Sequence, residues 1–285
     1  MHNPIQKISL LIYEGLASLR YSRSWLPLFT FWLLNALGLI LFSQFAALPG
    51  AGWMAVWLGS LFGREALEYP RFFLELPDIQ RKLYLVLAVT IGLLFIGTSL
   101  LYLLRYHTRG QVGHAQPWRR SLQRMPGHFV INLLSLSLFL LPLLALRIWA
   151  PPALSVGTGG KLLLLAVLGL GLIAQVFLLY APLIYLIHPS GIRESVRASL
   201  RFGRQHFWVS TGLGVIPFLL AAPLQGVQSA RRAIVEMFRP ELILWLLLLT
   251  SLVTLLILYL QLSMLVRFYS DEALRQPYRG EWPTG

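Results

Sequence analysis

Six apolar runs, separated by polar connections, dominate the pattern of hydrophobic and polar positions along the chain. They cover about residues 25–47, 83–104, 129–146, 162–187, 207–224 and 242–266. Each is close to the roughly 20 residues that an α-helix needs to cross the hydrocarbon core of a bilayer. The pattern therefore predicts an all-α, polytopic integral membrane protein with six transmembrane helices.

A short basic phrase precedes the first, third and fifth of these runs, and a short break separates each phrase from its run. The aligned serines of the phrase are Ser18, Ser121 and Ser199, and the same alignment brings together Trp25, His128 and His206. Such recurrence predicts a repeated structural unit. We expect three hairpin repeats, each led by a surface helix, at about 4–104, 115–187 and 191–266. They form a single membrane domain, 1–270, followed by a polar tail at 271–285.

Residues 4–20 have the pattern of an amphipathic helix that lies in the membrane interface. Its apolar side chains recur at spacings of three and four: Ile5, Ile8, Ile12, Leu16 and Leu19. Lys7, Glu14 and Ser18 lie off that stripe. A packed core helix is the alternative, although the chain has no evident soluble core for it to cover. Trp53, Trp57 and Leu61 predict a second interfacial helix on the opposite side of the membrane.

The charge distribution predicts the orientation of the protein in its membrane. Charged residues make up 12% of the 285 positions, against about 25% in soluble domains, and the net charge is +13. Fifteen of the 24 Lys and Arg residues lie in the termini and the connections on their side, and nine lie on the other side. The positive-inside rule then places both termini and all three surface helices in the cytoplasm.

The predicted spans carry little of the chemistry that pumps and enzymes need. No Asp, Glu, Lys, Arg or His lies in the central part of any span, which counts against an ion pump or a proton-coupled carrier. The absence of cysteine excludes disulfides and thiolate chemistry. The sequence contains no metalloprotease, nucleophile-elbow or phosphate-loop motif. We therefore expect no catalytic residues, no cofactor and no metal.

Three kinds of residue in or near the spans leave alternatives open. The polar ones could line a path through the bundle or form hydrogen bonds between helices: Asn35, Asn132, Ser135, Ser137, Gln175, Thr250, Thr254 and Gln261. Pro142 and Pro217 could mark broken helices at a binding site, or reflect the general frequency of proline in membrane helices. His128, His188 and His206 could form a metal site, although interfacial histidines are the better explanation.

Two groups of arginines are the best candidates for contact with lipid or with a partner protein. The longer group forms a stripe at spacings of four, four and three: Arg193, Arg197, Arg201 and Arg204. The shorter group is Arg119, Arg120 and Arg124. Each basic residue near an anionic leaflet contributes about 1 kcal/mol. These charges could instead serve topology and anchoring alone, and their place at the membrane argues against a nucleic-acid partner.

The segment 194–201, which follows a span ending in residues 180–185, resembles a family of prokaryotic six-span membrane proteins of unknown function. That family is similar to the membrane domain of some glycerophosphodiester phosphodiesterases. The resemblance implies an all-helical module in a prokaryotic cytoplasmic (inner) membrane. No phosphodiesterase domain is present in this chain, so no hydrolase activity is implied.

The sequence thus favours a non-enzymatic membrane scaffold or accessory subunit that organises lipids, with anionic headgroups expected, or a partner complex. A membrane-protein partner or a homo-oligomer is possible. A carrier for a lipid or another apolar solute is the alternative, and an intramembrane enzyme is a third. A water-accessible cavity lined by Asn132, Gln175 and Gln261 would favour the carrier. A sealed bundle with an apolar outer groove would favour the scaffold.

Overall fold

The computed structural model describes residues 4–44, 51–63, 68–69, 71–111, 116–149, 158–229, 234 and 237–274. Within these ranges the chain is helical and contains no strand. Six helical segments are long and apolar enough to cross a membrane: Ser22–Ser43, Phe72–His107, Pro117–Pro142, Gly169–Ile187, Phe207–Leu224 and Leu242–Ala273. The prediction of an all-α chain with six helices able to span a membrane is confirmed for these ranges.

We number the α-helices in chain order. They are α1 (Pro4–Ala17), α2 (Ser22–Ser43), α3 (Ala51–Phe62), α4 (Arg71–Leu87), α5 (Leu93–His107), α6 (Pro117–Trp149), α7 (Thr158–Leu178), α8 (Ala181–Ile187), α9 (Ile192–Gln205), α10 (Phe207–Ser229) and α11 (Leu242–Tyr269). A 3-10 turn joins α1 to the first span, and π-turns join α4 to α5 and extend α11 to Leu274. The segment around Trp53 is helical and forms α3, in which Trp53 is exposed.

The second span begins about a dozen residues earlier than the hydrophobic pattern predicts. Residues 71–82 are charged, yet they continue into the apolar helix without a break. The candidate span therefore covers 36 residues, or about 54 Å at 1.5 Å per residue, against a hydrocarbon core of about 30 Å. The charged first turns are helical because Phe72, Leu76 and Ile79 are buried on one face of α4.

The third and fourth spans also differ from the expected layout. The short break predicted before the third span is absent, because the surface segment and the span form one helix, α6, through Pro126. Ser121 and His128, on either side of that proline, are both buried against the rest of the bundle. The fourth span is interrupted between α7 and α8 at Leu179 and Tyr180, just before Pro182, which cannot donate a backbone hydrogen bond.

Each candidate hairpin packs as a pair of neighbouring helices. The pairs are α2 with α5, α6 with α7, and α10 with α11. Helix α5 also contacts α8 and α11, so the even-numbered spans meet in the middle of the bundle. The main core lies there and includes Leu101, Tyr180 and Phe268, all almost fully buried.

Surface helices α1 and α9 pack on spans of a preceding or distant hairpin. Helix α9 contacts α7 and α8, and α1 contacts mainly α11, at the opposite end of the sequence. The beginning of α6 contacts α5 in the same way. We call the end of the bundle that carries α1, α9 and the C-terminal end of α11 the terminal face. The opposite end, where α4 and α11 begin, is the distal face, and a smaller core around Leu39, Leu76 and Leu247 lies near it.

Candidate functional site

The arginine stripe predicted from the sequence lies on the outer side of α9. Arg193, Arg197, Arg201 and Arg204 are all exposed. None of them forms an ion pair with a carboxylate of the residues that the structure describes. The opposite side of α9 is held against the bundle by four buried residues: Ser195, Ser199, Phe202 and Gly203. The four guanidinium groups therefore form one continuous basic surface.

Local sequence explains why α9 is a short, well-defined helix. Its first turn begins after Gly191, whose backbone N–H donates to the Glu194 carboxylate at 3.3 Å. The hydroxyl of Ser195 donates to the Gly191 carbonyl oxygen at 3.0 Å. A carboxylate in the first turn and an arginine in the last turn both match the helix dipole. The helix ends at Gln205, and α10 begins two residues later.

In the shorter arginine group, two of the three guanidinium groups bind backbone carbonyl oxygens. Only Arg119 is exposed. Arg120 donates to the carbonyl oxygen of Leu186 at 3.3 Å, and Arg124 donates to those of Tyr185 and Ser190 at 3.3 and 3.1 Å. The guanidinium of Arg124 also lies 4.8 Å from the centre of the Tyr185 ring. Arg120 and Arg124 thus satisfy carbonyl groups at the C-terminal end of α8.

The three aligned serines are all buried, and two of them bind a backbone carbonyl oxygen of a neighbouring helix. Ser18, Ser121 and Ser199 are each completely buried. The hydroxyl of Ser121 donates to the Leu94 carbonyl oxygen at 2.9 Å, and that of Ser199 donates to the Phe177 carbonyl oxygen at 2.7 Å. Both acceptors belong to the second span of the preceding hairpin. Interhelical hydrogen bonds of this kind stabilise membrane helix packing by about 0.6 kcal/mol each.

Ser18, the first of the three aligned serines, contacts the sixth span rather than a span of a preceding hairpin. Its hydroxyl lies 2.9 Å from the Tyr259 hydroxyl and 2.8 Å from the Ser263 hydroxyl. The Tyr259 hydroxyl lies 2.7 Å from that of Ser24, at the start of the first span. Ser263 in turn is 3.2 Å from Nε2 of His107. This network connects the 3-10 turn after α1 with α2, α5 and α11 at the terminal face.

An ion-pair cluster joins α1 to the C-terminal end of α11, and sequence reasoning missed it. Arg267 binds the carboxylate of Glu14, with one contact at 3.0 Å, and that of Asp271 at 3.1 Å. Lys7 pairs with Glu272. Lys7 and Glu14 lie off the apolar stripe of α1, and this polar face docks on the C-terminal end of the sixth span. The spacing of seven between Lys7 and Glu14 was a signal for a shared face, but their partners lie more than 250 residues away.

The aligned and neighbouring histidines do not come together as a metal site. Among the residues that the structure describes, no group of three His, Asp or Glu side chains could hold a metal ion. His188 contacts the Tyr269 hydroxyl at 3.3 Å, and His206 packs on the rings of Phe202 and Phe268. Burial lowers the pKa of both His188 and His206; for His206 the nearby Glu272 opposes this effect and Lys7 adds to it.

A cavity of about 180 Å³ lies between α2, α4 and α11. Asn35, Thr250 and Thr254, three of the polar span residues singled out from the sequence, contribute to its lining, together with Gln80 and Arg81. Asn132, Gln175 and Gln261 do not line it. Asn132 donates to the His128 carbonyl oxygen of its own helix at 2.8 Å, and Gln261 lies 3.5 Å from the Leu213 carbonyl oxygen. This cavity is therefore not the one lined by Asn132, Gln175 and Gln261 that would favour a carrier.

Known proteins provide no further assignment. No family model, no curated protein and no solved structure matches this chain.

Proposed function

We propose that this protein is a non-enzymatic scaffold of a prokaryotic cytoplasmic membrane, and that α9 binds anionic lipid headgroups. The observation that carries the proposal is the exposed row of four arginines on a helix whose other face is buried in the bundle. A structural role in ion pairing would need carboxylate partners, and the described residues supply none to these arginines.

The apolar residues next to this row support a position in the headgroup layer. Leu200 is 44% exposed, and Trp208, at the start of α10, is 74% exposed. A helix with exposed arginines beside exposed Leu and Trp side chains is typical of the membrane interface. Four arginines at that level contribute about 1 kcal/mol each to the attraction of anionic lipid.

The same alignment supports three repeats with equivalent surface helices. In each copy the serine is buried and the following leucine is exposed: Leu19, Leu122 and Leu200. Ten residues after each serine, the first span of the hairpin presents a buried aliphatic side chain: Leu28, Ile131 and Val209. Each surface segment also contacts the second span of the neighbouring hairpin. Parallel repeats related by an axis along the membrane normal would give this arrangement.

Replacing all four arginines of α9 by Gln should reduce the total amount of anionic lipid that co-purifies with the protein at least twofold, because the local positive potential is lost. The matched control replaces Arg20, Arg23, Arg105 and Arg109, which are also exposed, by Gln. The measurement is quantitative lipid mass spectrometry on protein extracted from the same membranes. An equal loss in both variants would mean that total charge alone attracts lipid. Loss of a co-purifying protein with unchanged lipid would show a partner surface instead.

The proposed orientation has both termini and α9 in the cytoplasm. Because the chain has no cysteine, single cysteines report their accessibility without background. Cysteines at Gln123 and Gln205, exposed near the terminal face, should be protected from an impermeant thiol reagent in intact cells. One at Arg239, exposed at the distal face, should be labelled. All three should react after permeabilisation, and labelling of the first two in intact cells would reverse the orientation.

A carrier of lipid is the second candidate, and the cavity between α2, α4 and α11 favours it. This cavity combines apolar walls with several polar side chains inside a protein that has no charged group in the middle of its spans. It is bounded by core residues toward both faces, so a carrier would also need a movement that opens a path across the bundle.

A further inference from the structure

The cavity between α2, α4 and α11 has polar groups at one end and apolar groups at the other. Asn35, Gln80 and Thr250 lie toward the distal face, and Phe31, Leu255 and Leu258 lie toward the terminal face. On α2 and α11 the polar lining residues are closer to the distal face than the apolar ones. This holds although α2 runs in the direction opposite to α11. The same order, from polar to apolar, is found in one leaflet of a bilayer, from headgroup to acyl chain.

The residues around the cavity indicate an opening at the side of the bundle rather than at either face. On its distal side lies the smaller core around Leu39, Leu76 and Leu247, and on its terminal side lies the main core, which includes Leu28 and Tyr259. Its exposed lining residues belong to α4 and α11. They are Arg81, Tyr84 and Thr254, whereas Phe31 and Asn35 of α2 are buried and form the floor. An occupant would therefore enter from the bilayer.

Arg81 marks the level at which a headgroup would lie. It follows Arg71, Glu75 and Asp78 on α4, and after Lys82 no charged residue occurs until Arg105. Arg81 is thus at the boundary between the charged extension of the second span and its apolar part. Its contact with Asp78 is 3.7 Å long and its side chain is 75% exposed. An exposed pair of this kind is weak, so the guanidinium remains able to bind an anionic group.

Two polar atoms of the cavity are able to bind a ligand. Asn35 uses its Nδ2 to donate to the Phe31 carbonyl oxygen at 2.9 Å, and its Oδ1 accepts no hydrogen bond from the described residues. The same is true of the Tyr84 hydroxyl, which has no hydrogen-bond partner among them. An engineered cavity of about 150 Å³ holds a benzene molecule, so this one accepts part of a lipid rather than a whole one.

We propose that this cavity binds one phosphoglyceride of the leaflet next to the distal face. The phosphate contacts Arg81, the ester region lies near Asn35 and Gln80, and the first part of one acyl chain packs on Phe31 and Leu258. The site is independent of the arginine surface on α9, which lies near the terminal face. The α9 variant with four Gln residues should therefore retain this lipid.

A substitution at the mouth tests the site without disturbing the floor. Thr254 and Thr90 are both exposed, and each hydroxyl donates to the carbonyl oxygen four residues earlier in its own helix. Thr254→Trp should block the mouth, whereas Thr90→Trp, outside the cavity, is the matched control. The probe is dioleoylphosphatidylglycerol added to delipidated, detergent-solubilised protein, and native mass spectrometry counts the molecules that remain bound.

We expect one tightly held phosphatidylglycerol in the natural protein and in Thr90→Trp, and at least a tenfold weaker retention in Thr254→Trp. Arg81→Gln should weaken retention about fivefold, because a single guanidinium contact to phosphate is lost. Equal retention in the two tryptophan variants would place the lipid elsewhere and overturn the proposal. Equal binding of dioleoylglycerol, which lacks phosphate, would overturn the role of Arg81. Displacement of the lipid by millimolar inorganic phosphate would identify a free anion as the ligand instead.

Discussion

Replacing Arg267 by Met should lower the free energy of unfolding by about 2 kcal/mol. The guanidinium of Arg267 joins the carboxylates of Glu14 and Asp271, and its side chain is 16% exposed. Removing one member of a largely buried charge cluster leaves its partners desolvated without compensation. The side chains are not fully buried, so we expect less than the 3 to 5 kcal/mol typical of completely buried pairs.

This loss should be accompanied by detachment of α1 from the end of the sixth span. Hydrogen exchange of residues 4–17 should therefore become faster, while exchange in the centre of α11 stays slow. Stability is measured by SDS titration of the detergent-solubilised protein. Arg204→Met, at an exposed position without an ion pair to any residue that the structure describes, is the control and should change stability by no more than about 0.5 kcal/mol. Equal effects of the two variants would contradict the role of the cluster.

A double-mutant cycle separates the contribution of the Arg267–Glu14 contact from that of the Arg267–Asp271 contact. If Glu14 and Arg267 interact directly, the effects of Glu14→Gln and Arg267→Met should not add, and the coupling energy should be about 1 kcal/mol or more. Additive effects would mean that Asp271 alone accounts for the stabilisation by Arg267.

Replacing Gly203 by Leu should lower stability by about 2 to 3 kcal/mol, whereas Ala at the same position should be tolerated. A Cβ atom at Gly203 would lie 3.4 Å from Cα of Phe177 and 3.5 Å from the Val176 carbonyl oxygen, which is ordinary van der Waals contact. The further atoms of Leu would meet the backbone of α7, which cannot move aside as a flexible side chain can.

Alanine at this position should even stabilise α9 slightly, since Ala is a better helix former than Gly by about 1 kcal/mol. The larger residue should also break the nearby hydrogen bond from Ser199 to the Phe177 carbonyl oxygen. Both variants are compared by SDS titration and by hydrogen exchange in α9. Similar stability of Gly203→Leu and Gly203→Ala would show that α9 does not pack closely on α7.

The sequence alone determined the helical spans, because each depends on a local property. A run of about 20 apolar residues satisfies its own backbone hydrogen bonds as a helix wherever it lies in the bilayer. The exposure of the α9 arginines was predictable for a similar reason. Their spacing of four, four and three places them on one side of a helix, and the buried Ser199 and Phe202 lie on the other.

The boundaries of the spans were less predictable, because tertiary contacts extend helices past the apolar runs. Residues 71–82 carry five charged side chains, yet they form the start of a long helix whose apolar face packs near Leu39 and Leu247. The continuous helix through Pro126 was likewise not predictable from the sequence. A proline either breaks a helix or only bends it, and the outcome depends on the tertiary contacts of the neighbouring residues.

The partners of polar residues were decided only by the tertiary structure. Lys7, Glu14 and Ser18 lie off the apolar stripe of α1, and a sequence cannot tell whether such residues face water or a distant complementary surface. Here they contact the sixth span, more than 240 residues away. Arg120 and Arg124 resemble the exposed arginines of α9 in sequence, yet they bind carbonyl groups of α8. The cavity arises in the same way, because its walls come from three helices that only folding brings together.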